Sequence, residues 1–321
     1  MVEMLWSVFD IDRACAALID VGGYVRTDLP DAGADQAAAW GLPDDCSRIA
    51  QVLLTAPSDP ATVLRLVRFD GCEQALIRPS QRVWDTGGIF DIDIFSRDAR
   101  AAYRALVERH GWTAFGEPAD YVLGDFDVTQ VVARGPDGMV AAIIEPRQQS
   151  DVALPRPGAL SRPFNATQIV RDMDATIAFF TDILGWRVTM AMDVEGAVEP
   201  GADVLGLPLP HARTTRRRMA IVHPDGTNDG SVELLQIVGL HGHDHADRAV
   251  APNIGLFAAR FPVADTDIAA ATIVARGGTL HCPPCDVTIA GIGRTRLFAI
   301  RTPDGAILEF FQITNSERPI P

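Results

Sequence analysis

The segment LHGHDHADR, Leu240–Arg248, sets His241, His243 and His245 at alternate positions around Asp244. In an extended backbone alternate residues share a face, so the three imidazoles could converge on a metal ion. The other reading is a solvated loop joining two larger units. A second candidate is HCPPC, His281–Cys285. Its CxxC spacing suits a metal or a redox pair. A structural zinc, however, wants four ligands where the chain offers no second pair, and a redox pair wants its thiol at a helix N-terminus. Two ordinary cysteines are the simpler reading. A third is TTRRRMAIV, 214–222. In a strand, Arg216 and Arg218 take one face and Arg217 with Met219 the other, so one set can enter a cleft and hold an anion while the other stays in solvent.

The elements that must position these side chains belong to a chain of 321 residues, 47% hydrophobic and 22% charged, enough for about two domains with real cores. A net charge of -14 repels a phosphate backbone or an anionic bilayer. The expected partner is thus a small molecule, not nucleic acid or membrane. Of the five cysteines, Cys15, Cys46 and Cys72 are scattered. No disulfide framework is expected, which points to a reducing, cytoplasmic setting. The opening MVEMLWSVFDIDRACAALIDVGG lacks the basic start and apolar core of a signal peptide.

A pattern recurs along the chain. In FNATQIVRDMDATIAFFTDILGWRV, Phe164–Val188, an alternating strand leads to Asp172 as helix cap. Ile177, Phe180 and Leu184 then share a helical face, and Gly185 closes the helix. FDIDIFSRDARAAYRALVERHGW, Phe90–Trp112, repeats this with Asp98 as cap and Ala102, Leu106 and Val107 on the helix. AARFPVADTDIAAATIVARGG, Ala258–Gly278, is a third copy with Asp265, and SVFDIDRACAALIDVGG, Ser7–Gly23, a fourth with Asp10. Short strands follow each copy, two of them entered from Pro-Asp-Gly turns in ARGPDGMVAAIIE and IRTPDGAILEFFQ. The four units are expected to pair into halves, 1–147 and 162–315, joined by a linker at 148–161.

This arrangement resembles the vicinal oxygen chelate superfamily of glyoxalase I, bleomycin-resistance proteins and extradiol dioxygenases, chiefly through VRDMDATIAFFTDILGW and TPDGAILEFFQ. The resemblance implies an α+β fold of two tandem domains, each made of two βαβββ modules curled as a half-open barrel around a cleft. It also implies metal ligands on the first and last strand of paired modules, the first-strand ligand being a His seven residues before the capping Asp. In the second half those positions hold Asn165, Ala258, Glu233 and Glu309. Both carboxylates are kept and both imidazoles lost, which speaks against zinc or iron and against extradiol cleavage. No cofactor is the first expectation. A hard divalent metal held by Glu233, Glu309 and Asn165, with His243 or His245 from the loop, is the alternative. In the first half the positions are Glu3, Arg65, Asp91 and Ala142. A salt bridge of Arg65 to Asp91 is expected in place of an ion, leaving that half a structural role.

Two facing carboxylates repel, so Glu233 and Glu309 are expected to serve as a general acid–base pair. Asn165, Thr167, Arg260 and Arg218 would contact substrate, although Arg260 could equally neutralise Glu309. The resulting expectation is a metal-independent lyase or isomerase of a small oxygenated molecule, monomeric or homodimeric. A ligand-sequestering protein and a divalent-metal enzyme like glyoxalase I are the alternatives.

Overall fold

The computed structural model describes residues 1–57, 59–80, 82–123, 126–148, 159–194 and 203–314. The recurring pattern becomes four modules. The first holds β1 (Glu3–Ser7), α1 (Ile11–Asp20), β2 (Val25–Asp28), α2 (Ala34–Ala39), β3 (Arg48–Thr55) and β4 (Val63–Asp70). The second holds β5 (Asp91–Ser96), α3 (Ala99–His110), β6 (Thr113–Ala114), β7 (Ala119–Leu123), β8 (Phe126–Arg134) and β9 (Val140–Pro146). The third holds β10 (Leu160–Ile169), α4 (Met173–Ala178), β11 (Arg187–Val194), α5 (Leu209–Thr214), β12 (Arg217–His223) and β13 (Ser231–Ile237). The fourth holds β14 (Gly255–Pro262), α6 (Thr266–Ala275), β15 (Leu280–Ile289), β16 (Gly293–Arg301) and β17 (Ile307–Ile313).

Each module helix starts where the sequence places its cap. Asp10, Asp98, Asp172 and Asp265 are extended, and their carboxylates accept from the backbone N–H of Arg13, Ala101, Ala175 and Ile268. These bonds satisfy amides that have no partner within the helix. α3 ends at Gly111 with φ 67°, a left-handed position open to glycine at little cost. Its inward face is Ala99, Ala102 and Leu106, while Val107 turns out to solvent, one step of about 100° past Leu106.

The strands form two open sheets. One has eight strands in the order β15-β16-β17-β14-β1-β4-β3-β2, and the other has β11-β12-β13-β10-β5-β9-β8-β6 with β7 paired to β8. Antiparallel β1–β14 pairing joins the first module to the fourth, and β5–β10 joins the second to the third. The expected halves therefore do not each build a sheet; every sheet takes one module from each half. The physical reason lies in the core. One face of the strands and the module helices pack into a single cluster between the sheets, with Trp6, Leu106, Phe180 and Phe261 among its members. Any pairing that lets all four helices share that core buries more apolar surface than two separate halves would. The expected linker falls mostly on 149–158, outside the described residues.

Chain alternation leaves the other face of each sheet free for a site. On the eight-stranded sheet that face is filled by α2, whose C-terminal neighbour Trp40 packs edge-on against Phe69 and Phe257. Cys46 and Cys72 are joined in a disulfide, against the expectation of scattered thiols. β3 and β4 pair Arg48 with Asp70, and continuing that register by two residues sets the two cysteines opposite each other. Among the described residues no helix is long and apolar enough to cross a membrane.

Candidate functional site

The outer faces of the two sheets carry opposite solutions to the same problem of buried charge. On the eight-stranded sheet, register sets Glu3 beside Arg260, Arg260 beside Glu309, and Leu5 beside Arg65. Arg65 Nε donates to Glu3 Oε1 at 2.9 Å, Arg260 Nη1 donates to Glu3 Oε2, and Arg260 Nε donates to Glu309 Oε2 at 2.6 Å. Gln51 Oε1 accepts from Arg65 at 2.6 Å, and Trp40 Nε1 donates to Glu309 Oε1 at 2.7 Å. All four charged side chains are at most 2% exposed. Burial opposes the ionisation of Glu3, but the two guanidiniums win and hold its carboxyl below the ordinary range. Two positive and two negative groups make a charge-balanced ladder, in which Arg260 Nη2 has no hydrogen-bond partner among the described residues.

The nine-stranded sheet has no such balance. Across β5, β10 and β13, Asp91 lies beside Thr167, Asp93 beside Asn165, and Thr167 beside Glu233, so all five side chains share the outer face. Asp91 is 4% and Asp93 5% exposed, and Asn165 and Thr167 are buried as well. Glu233 is half-buried as a residue, its carboxyl lying deep enough for burial to dominate its titration. Among the described residues no salt bridge reaches any of the three acids. Burial pushes Asp91 up to about 7, with the Thr167 hydroxyl and Arg78 opposing it. Burial and then Asp91 raise Glu233 to about 8. Asp93 is driven well above the carboxylate range by burial, then by Asp91 and Glu233. Asp91 Oδ1 and Asn165 Oδ1 are buried without a hydrogen-bond partner. Such orphans are costly and await a donor. Tyr121 stands near by: burial raises its phenol, and Glu233 and Asp93 add to the rise.

Several expectations are corrected by this geometry. Glu233 and Glu309 do not face each other, because β13 and β17 belong to different sheets. Arg65 pairs with Glu3, not with Asp91, which lies on the other sheet. Arg260 neutralises Glu309 and Glu3, and is fully buried by them. Arg218 turns to the helix side, 2.7 Å from Asp174 and 3.4 Å from Asp193, away from the acids. Arg217 is the arginine of that strand on the outer face, opposite Ile237. Asn165 and Thr167 do sit in the acid cluster. The sequence reading missed Asp93 as a site residue, although the alternation of FDIDIF sets it on the same face as Asp91. Tyr121 carried no signal of its own.

The histidine loop is tied down elsewhere. Asp85 accepts from the backbone N–H of His243 at 2.7 Å, and Thr86 bridges to Asp244. His245 is buried with Nε2 3.5 Å from Ser80 Oγ and 3.7 Å from Asp85 Oδ2; His241 and His243 are exposed. Cys282 and Cys285 lie on β15 with their sulfurs 3.8 Å apart, on a strand rather than at a helix N-terminus.

The resemblance implies an ion held by imidazole and carboxylate. On the first sheet two guanidiniums stand among the ligand positions, where a metal cation would be repelled. On the second the donors are carboxylate, amide and hydroxyl oxygens without an imidazole. Among the described residues no three His, Cys, Asp or Glu side chains are grouped so as to hold a metal ion. These residues do not fit an imidazole–carboxylate centre, and no step below passes through a metal.

The unpaired acids have a cost that pH exposes. Carboxyls whose folded pKa lies above the unfolded value favour the fold at low pH, and that contribution is lost as pH rises through the folded value. Between about pH 4 and pH 8 the cluster should therefore erode stability as its carboxyls are forced to ionise in the folded protein. Asp93→Asn removes one of the repelling groups at nearly constant shape. Its denaturant-unfolding free energy is expected to exceed that of the parent at pH 8.5 and to match it near pH 4. Equal curves for the two proteins at both pH values would refute this.

Comparison with known proteins agrees with the architecture. Residues 164–310 match the model of the Glyoxalase/Bleomycin resistance protein/Dioxygenase superfamily. No curated protein matches the chain by sequence. Among solved structures, glyoxalase I from Zea mays superposes with a TM-score of 0.62 at 17% identity, covering 97% of this chain and 92% of that one. A putative dioxygenase from Bacillus subtilis does so with a TM-score of 0.56 at 13% identity, covering 98% and 84%. At such identities the likeness is one of fold. The segment 164–310 belongs to the Glyoxalase/Bleomycin resistance protein/Dioxygenase superfamily, the vicinal oxygen chelate group, and the chain as a whole carries its two-sheet, four-module fold.

Proposed function

We propose that the protein is a general acid–base enzyme, a lyase or isomerase of a small oxygenated organic molecule, working at Asp91, Asp93 and Glu233. The observation that carries this reading is that three carboxylates share one face with no salt bridge among the described residues, Arg78 acting on Asp91 only from a distance, while the equivalent face of the other sheet is charge-balanced by direct ion pairs. A protein that needed these acids only for packing would have paired them with arginine, as it does Glu3 and Glu309. Carboxyls that titrate near neutrality can both take and give a proton at working pH.

The roles follow from position. Thr167 engages the Asp91 carboxylate, leaving Oδ1 with an unused lone pair. Ionised Asp91 is the base that removes a proton next to a carbonyl. Glu233, on the far side of β10, keeps its proton to a higher pH and gives it to the oxygen that gains charge. Adjacent strands are about 4.8 Å apart, so a substrate of a few carbons spans the gap over Thr167. Asp93, the more deeply protonated acid, donates a hydrogen bond. Returning the proton to another carbon gives isomerisation; expelling a leaving group from the enolate gives elimination. The chemistry asks for no cofactor.

The test is deuterium incorporation. Hydroxyacetone, acetoin and 2-oxobutyrate are incubated with the protein in D₂O, and loss of the α-proton signal is followed by NMR across pH. Exchange is expected to rise through about pH 7 as Asp91 ionises and to fall above about pH 8 as Glu233 loses its proton. The limbs belong to the cluster as a whole. Absence of catalysed exchange for all three compounds would defeat the proposal, and binding without exchange would make the protein a sequestering one.

A further inference from the structure

Arg217 is not absorbed by the acid–base reading. Its register opposite Ile237 puts it on the outer face of the nine-stranded sheet, the face that carries the acids, and it is only 8% exposed. It is the one member of the Arg216–Arg218 run turned that way, since Arg216 and Arg218 reach Asp193 on the other side. Its contacts are poor for a buried cation. Nη2 lies 3.4 Å from Asp203 Oδ1 and 3.4 Å from the Ala212 carbonyl, and Nε has no hydrogen-bond partner among the described residues. Arg260 on the other sheet also keeps one unpartnered nitrogen, Nη2, but it makes two close carboxylate contacts where Arg217 makes one long one. A guanidinium presents a planar fork that matches a carboxylate, and here part of the fork is unused. The surroundings are apolar, with Val204, Leu207 and Ala212 packed against Leu235 and Ile237. Burying an unsatisfied N–H there is unfavourable unless something else satisfies it.

The same face links this group to the acids. Glu233 and Ile237 are four residues apart on β13, about 13 Å at about 3.3 Å per residue, and the long arginine side chain closes part of that distance. Tyr121 stands within the electrostatic reach of Glu233, Asp93 and Arg217 together. One end offers the unpartnered acceptors of Asp91 and Asn165; the other offers an unpartnered donor on a cation.

We propose that Arg217 is the carboxylate-binding group of this site and that the substrate is a small carboxylic acid, held by its carboxylate at Arg217 with its reacting carbon over Asp91 and Glu233. This rests on the acid–base reading for the reaction, but not for the binding.

The experiment is calorimetric binding of 2-oxobutyrate and malate, each against its uncharged amide, to the full chain and to Arg217→Met. The acids are expected to bind at least 100-fold more tightly than the amides, and Arg217→Met to reduce that preference to below 10-fold. Arg217→Lys, which keeps the charge without the fork, should fall between, and it carries the test if Arg217→Met does not fold. Equal binding of acid and amide, equal affinity of parent and variant for the acids, or no measurable binding of either acid would overturn the proposal. Binding and α-proton exchange measured together on the parent separate the two readings. A carboxylate preference that persists without α-proton exchange in the parent supports Arg217 and sinks the acid–base roles. Exchange without a carboxylate preference does the reverse.

Discussion

Arg260→Met is expected to destabilise the protein by about 3–5 kcal/mol, the cost of removing one partner from a buried ion pair. In a chain of this length that lowers the melting temperature by about 4–8 °C. The arginine bridges Glu3 and Glu309, all three side chains at most 2% exposed. Without it Glu309 keeps only the Trp40 indole N–H, and Glu3 keeps only Arg65. One excess negative charge is then trapped in an environment that cannot solvate it. The double variant Arg260→Met/Glu309→Gln removes one charge of each sign and leaves the balanced Glu3–Arg65 pair. It should regain more than half of the loss, as expected for coupled neighbours. A melting temperature for Arg260→Met within about 2 °C of the parent, where a loss of under about 1 kcal/mol would place it, would show that the ladder does not behave as a closed unit. The sign with pH differs from that of the acid cluster. Glu3 has a lowered pKa, so its contribution is present above the ordinary glutamate range and lost as pH falls through the folded value.

The second large effect concerns rate. Glu233→Gln and Asp91→Asn are each expected to cut the α-proton exchange rate by about 10²–10⁴, the usual worth of a positioned acid or base. Gln and Asn preserve shape and hydrogen-bonding capacity but cannot exchange a proton near pH 7. Asp91→Asn should remove the rising limb of the pH profile and Glu233→Gln the falling one. That separates a lost proton donor or acceptor from a general loss of folded protein, which would scale the profile without changing its shape. Glu309→Gln, by contrast, is expected to act on stability, because its carboxylate is enclosed by Arg260 and Trp40. Either acid variant retaining more than a tenth of the parent rate would remove that residue from the mechanism.

The legible part of this protein in its sequence is what depends on a few consecutive residues. Capping depends on one Asp and the amide three residues on, and all four predicted caps form that bond. The face taken by a strand residue depends only on alternation, so Asn165, Thr167, Glu233, Glu309 and Arg260 all lie on the outer faces that alternation requires. The same rule would have added Asp93 to Asp91 had both residues of FDIDIF been read as site residues. The choice between Arg217 and Arg218 was harder. Alternation separates the two, but only the placement of α4 fixes which side is which: Asp174 at its start draws Arg218 to the helix side.

What tertiary structure decided is which strands meet. β1 finds β14 some 250 positions later, and β5 finds β10. Nothing in the local pattern distinguishes these pairings from a partition into halves, because each first strand offers the same antiparallel edge. The selection is made by the shared helical core, where burial is maximised only when all four helices lie between two sheets. That one decision moved Glu309 into an ion ladder with Glu3, Arg65 and Arg260, and moved Glu233 beside Asp91 and Asp93. Sequence determined the modules, their caps and the facing of their side chains; long-range packing determined which carboxylates were paired with arginine and which were left without a direct ion pair.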